Sequence, residues 1–299
     1  MRLRDIFGIG REKTPGFGIT KSFYLSVLAS KMPLPAITEV MNPRGEGGAI
    51  AGFAAPLRSG ATKDELTQPF QRGLYALATP DRKTVLRLAV VSKEEAGFRP
   101  DPILASSLAQ DLSPETLNRI LATWTLLQVS FESHDPAVHP SLNFLLRLAR
   151  QMASLTEGVV ADPISRRYRL PEEVLSEESS PERVFVSDVV TVHHRMTEHG
   201  LTAFTLGMIK FDLPEIEIQG LEAEDLPSTQ LFLYGVSQSI LTGKLLEVGG
   251  LLGHSSAPLR VVNGGLDRAH WEGIPCLELI PEGKAKTVSQ CLKVWREQS

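Results

Sequence analysis

Cysteine is nearly absent: Cys276 and Cys291 are the two in 299 residues. A small secreted fold held by disulfides carries more. Their spacing fits neither a zinc knuckle nor a redox CxxC pair, so they read as two small buried apolar residues. A basic excess is also missing. The formal net charge is −4, whereas a duplex-binding domain neutralises phosphates with surplus Lys and Arg; nucleic acid is not the expected partner. The N-terminal run MRLRDIFGIGREKTPGFG lacks the apolar core of a signal peptide. The longest apolar stretch, residues 231–253, is interrupted by Gln238, Lys244 and Glu247. A membrane span needs about twenty mainly apolar residues. A cytoplasmic protein with no membrane partner is therefore expected.

Catalytic signatures are lacking too. There is no GxSxG and no HExxH. Near Gly8–Gly10 and in PGFGITKS, the residue before Lys21 is Thr20, where a phosphate loop needs glycine so that its amides can wrap the phosphate. No cofactor site is expected, and no metal-ligand set is complete.

Hydrophobic residues make up 42% and charged residues 22%, which is ordinary globular usage. Residues 1–20 read as a flexible arm. The Pro- and Gly-rich residues 32–48 read as a loop between a strand at 23–30 and a short one at 49–54. Thr62 with Glu65 looks like a capping box, and Leu66, Phe70, Leu74 and Leu77 recur at helical spacing behind it. Residues 84–91 and 124–131 read as strands. Residues 102–124 read as helical, restarting at Ser113–Pro114. Residues 141–155 give the clearest helix: Leu142, Leu145, Leu146, Leu148, Ala149, Met152 and Leu155 share a face, with Arg147, Arg150 and Gln151 opposite. A strand follows at 159–161.

The acidic, Ser-rich run 172–183 reads as a linker or exposed loop. Strands at 184–193, 201–206, 216–218, 260–262 and 276–280 follow, with helices at 227–242 and 285–296. Strands joined by short turns, mixed with helices, predict an α+β fold. Its sheets are mixed and largely antiparallel, with helices packed on one face. Two similar-sized lobes fit the pattern, 21–171 and 184–299.

Several groups carry chemistry. His193, His194 and His199 are dense enough to weigh as zinc ligands, although His193 and His194 on one strand would point to opposite faces. A third ligand would come from His254, Asp267 or His270. His134–Asp135 could form a general-base unit, but Asp135 beside Pro136 suits a turn or helix cap. Glu215 and Glu217 alternate with Ile216 and Ile218, so both acids face one side of a strand.

Residues 201–218, LTAFTLGMIKFDLPEIEI, resemble the T-x-G-M/L-x-x-F-x-x-P-E/D-x-E stretch of a bacterial family, domain of unknown function 4261. The matching residues are Thr205, Gly207, Met208, Phe211, Pro214, Glu215 and Glu217. Upstream, residues 142–168 resemble the same family's helix followed by a strand ending in an acid, here Asp162. The likeness spans roughly 124–243. It implies an α+β domain and carries no activity with it.

Three functions are open at this level. One is a non-catalytic protein-binding module using Phe211, Pro214, Glu215 and Glu217. Another is a metal-assisted hydrolase using His193, His199, Asp162 and Glu215. The last is a self-associating scaffold subunit, with Leu251, Leu252 and the C-terminal helix packed on a neighbour.

Overall fold

The computed structural model describes residues 18–58, 63–197, 200–244, 246–264, 273–285 and 287–298. Residues 1–17 of the N-terminal arm, Thr62, His199, Asp267 and His270 lie outside the described residues. The chain forms two compact units, one spanning Ile19–Thr191 and the other Val192–Ser299 with Gly18. The fold is α+β, with largely antiparallel sheets.

The first unit contains β1 (Tyr24–Ala29), α1 (Ile37–Val40), β2 (Met41–Asn42), β3 (Ile50–Ala51), β4 (Phe53–Pro56), β5 (Gly73–Ala78) and β6 (Val85–Ser92). These are followed by α2 (Asp101–Leu104), α3 (Leu108–Asp111), α4 (Pro114–Leu121), β7 (Thr125–Ser133), α5 (His139–Leu155), β8 (Val159–Asp162) and β9 (Arg167–Arg169). Its main sheet has the order β4-β5-β6-β7-β1-β8-β9, and every pair in it is antiparallel. Strand alternation sends Leu25, Val27 and Ala29 to the face opposite Tyr24, Ser26 and Leu28. Ile120 of α4 packs with Leu28, Leu126, Val159 and Ala161. The long helix α5 packs on β1 and β8 and buries Leu142, Leu145, Leu146, Leu148, Ala149 and Met152.

Two local expectations are corrected. Residues 32–48 are not simply a loop, because they hold α1 and β2. The helix expected after Thr62 is a 3-10 turn at Lys63–Thr67, followed by β5. In β5 the alternation separates Leu77, which is buried, from Leu74, which is 44% exposed. Pro69 lies between the turn and the strand, where its missing N–H prevents a continuous helix.

The acidic run 172–183 belongs to the first unit. Arg169 is buried and its Nη1 donates to the carbonyls of Val174 and Asp188, each at 2.9 Å. Burial pulls its pKa down to about 10, so the guanidinium keeps its charge at neutral pH. Asp188 in turn accepts from Ser176 N and Ser179 Oγ. Val174 and Leu175 are buried.

The second unit contains β10 (Thr191–Thr197), whose first residue belongs to the first unit, β11 (Gly200–Leu206), β12 (Glu215–Leu221), α6 (Leu226–Leu241), β13 (Leu251–His254), β14 (Ala257–Asn263), β15 (Cys276–Pro281) and α7 (Val288–Gln298). The sheet order is β10-β11-β12-β15-β14-β13. The β12–β15 pair is parallel, and β11–β12, β13–β14 and β14–β15 are antiparallel. Helices α6 and α7 touch each other and the sheet.

Candidate functional site

The residues that stand out in the sequence are mostly held by the fold. Glu215 is 1% exposed. Its carboxylate accepts from Thr205 Oγ1 at 2.7 Å, Gly207 N at 2.8 Å and Ile209 N at 3.2 Å. Thr205 Oγ1 also accepts from Ile216 N at 2.8 Å. Burial pushes the Glu215 pKa up, and these hydrogen bonds pull it back. The T-x-G and P-E-x-E residues thus close one turn upon itself. Glu217 is buried and accepts from Gln219 Nε2. Phe211 is fully buried, and Pro214 is half-buried. Phe211, Glu215 and Glu217 therefore present no exposed strip.

His193 stacks on Phe204 with ring centroids 6.1 Å apart, while His194 is exposed. The two adjacent histidines differ in environment, as strand alternation requires. Asp162 is buried in the first unit and accepts from Ser165 N at 3.2 Å. His193 and Glu215 belong to the second unit. Among the described residues, no group of three or more His, Cys, Asp or Glu side chains is placed to hold a metal ion. His134 Nδ1 meets the backbone carbonyl of Asp135, not its carboxylate. That carboxylate accepts from Ala137 N at 2.8 Å, in the turn-forming role.

A different set of residues converges in the first unit. The β5–β6 hairpin turns through residues 79–84, closed by Thr79 N to the Thr84 carbonyl at 3.1 Å. Asp81 accepts from Thr79 Oγ1 at 2.6 Å and Lys83 N at 3.1 Å. The Thr79 hydroxyl is the main reason its pKa falls below the ordinary carboxylate value. The hairpin is tied to the start of α5 by buried hydroxyls. Thr84 Oγ1 and Ser141 Oγ are 2.6 Å apart, and Ser141 Oγ accepts from Asp135 N at 2.8 Å.

Between hairpin and helix lies a cavity of about 430 Å³, within the size range of small-ligand sites. Ile50, Pro80, Pro140, Phe144 and Pro181 make its apolar wall. Lys83 Nζ lies 3.5 Å from Asp135 Oδ2 and 3.8 Å from Asp81 Oδ2, so one cation is shared by two carboxylates. Asn143 and Arg147 line the cavity from α5. Asn143 is only 4% exposed, and its carboxamide has no hydrogen-bond partner among the described residues. Arg147 is exposed and forms no ion pair among them.

The arrangement can hold a polar ligand against an apolar wall. The Thr79 hydroxyl donates to Asp81 at its rim, and the same carboxylate oxygen accepts from Lys83 N, so this pair serves the hairpin turn. In the sequence Arg147 falls on the solvent face of the helix, and Asn143 belongs to no motif. The available signal was an amide set within LNFLLRLAR, flanked by residues of the buried face. Comparison of the chain with protein-family models, curated protein sequences and solved structures finds no match.

Proposed function

We propose that the protein is a non-catalytic binding module whose cavity at the start of α5 takes an extended segment of a protein partner. The observation that carries this reading is Asn143, whose carboxamide lines a cavity large enough for a ligand, has no hydrogen-bond partner among the described residues and reaches solvent through that cavity. A ligand's backbone N–H or C=O would take the place of water on this amide. Carboxamides present both a donor and an acceptor, which is what a peptide group needs. In this reading the partner meets the protein in the cytoplasm, where the free thiols of Cys276 and Cys291 stay reduced. The likeness to domain of unknown function 4261 is compatible with this reading and adds no chemistry to it.

The test uses an array of defined peptides probed with the full chain and with Ala51→Trp, which places an indole at the cavity's exposed rim. A subset of peptides should be retained by the wild type, lost by the variant and recovered intact by mass spectrometry. Equal retention by both proteins would remove the cavity from consideration. Recovery of cleaved or modified peptide would replace the binding reading with a catalytic one.

A further inference from the structure

The charges around the cavity are not evenly placed. At the first turn of α5, Asp81 and Asp135 share the single cation Lys83, so this contact group carries one more negative than positive charge; the charge of Arg183 also reaches His139 at this turn. Asp135 belongs to this end because its N–H donates to Ser141 Oγ. Its carboxylate remains partly open, with 13% of the side chain exposed, and a carboxylate has room for further donors. Arg147 lies two turns along the helix with no acidic partner among the described residues. The negative and positive ends are thus separated along one helix face, with Phe144 and Asn143 between them. From Pro140 to Arg147 the helix rises about 10 Å, a span that an extended chain covers in about three residues.

We infer that the cavity selects a dipolar segment: a basic side chain at the Asp81–Asp135 end, an acidic side chain at Arg147, and an apolar pair between them against Phe144. This rests on the binding reading above and adds the partner's chemistry to it. Like charges at either end are disfavoured by the same field that attracts the correct pair. Asn143 sits where the middle of the segment's backbone passes. The charged rims are near solvent, so affinity falls as salt is raised.

The probes are short capped peptides with Lys and Glu three positions apart around Ala-Leu, in both chain directions, with Lys/Lys, Glu/Glu and Gln/Gln controls. Binding to the full chain is measured by calorimetry at low and high salt. One Lys/Glu direction should bind best, with Lys/Lys and Glu/Glu roughly fivefold to tenfold weaker, the range that one exposed ion pair exchanged for repulsion allows. Arg147→Glu should reverse the ranking so that Lys/Lys becomes the best ligand. Arg147 is exposed, so this variant is expected to fold. If all five peptides bind alike and Ala51→Trp abolishes them, the dipolar inference fails and the binding reading stands. An unchanged ranking in Arg147→Glu also overturns the inference. If no peptide binds here or on the array, both readings fall.

Discussion

Glu215 shows how a conspicuous acid can be a structural residue. It is buried on β12, yet two backbone N–H groups and a threonine hydroxyl point at it. Gly207 has a φ of 123°, a conformation that L side chains rarely adopt, and this directs its N–H toward the carboxylate. Removing the acid would leave the Gly207 and Ile209 amides without their acceptor. Glu215→Ala should therefore lower unfolding stability by about 3 kcal/mol, while Glu215→Gln, which keeps one acceptor oxygen, should cost about 1 kcal/mol. Urea denaturation of the two variants checks this. Equal losses would mean that the shape of the side chain matters at this turn and its oxygens do not.

Helix α5 carries a titratable group at its first residue. His139 Nδ1 accepts from Val184 N at 3.3 Å, so this nitrogen is unprotonated. Burial, and then the charge of Arg183, lower the His139 pKa from the ordinary 6.5. The native protein thus resists protonation that the unfolded chain accepts. This contribution to stability is complete above about pH 6.5 and is lost as the pH falls through the unfolded value toward the native one. Wild-type stability should decline between pH 7 and 5, and His139→Gln, which keeps an acceptor but cannot titrate, should flatten that decline. Parallel pH profiles would place the acid sensitivity elsewhere. The same helix marks what the sequence could disclose. Its length and unbroken leucine face made α5 legible, as alternation and β-branched content did for β6 and β7. The stretch 62–77 misled because Leu66, Phe70, Leu74 and Leu77 imitate a helical period, although Leu74 and Leu77 sit on opposite faces of a strand. The cavity was hidden for another reason. Periodicity sorts α5 into faces, but it does not reveal that a hairpin distant in sequence docks beside Asn143 and Arg147.

At the scale of the whole molecule, composition and contacts mark different divisions of the chain. The acidic run 172–183 looks like a connector by its charge, while the chain's contacts separate Ile19–Thr191 from the residues beginning at Val192. Charge alone says little about docking, because a single buried guanidinium can hold an acidic segment by its carbonyls. Arg169 does this through Val174 and Asp188. Val174, Val184, Val186, Val189 and Val190 are all buried. A domain with its own sheet and core should fold alone when cut where few contacts cross. The fragment 19–191 should therefore unfold in one cooperative transition. The fragment 19–171 should not, since it loses those valines and leaves the Arg169 guanidinium buried without its carbonyl acceptors, an expensive state for a charge. Circular dichroism during thermal unfolding distinguishes the two. If 19–171 melts as sharply and as late as 19–191, residues 172–191 are a dispensable extension, and the first unit ends at β9.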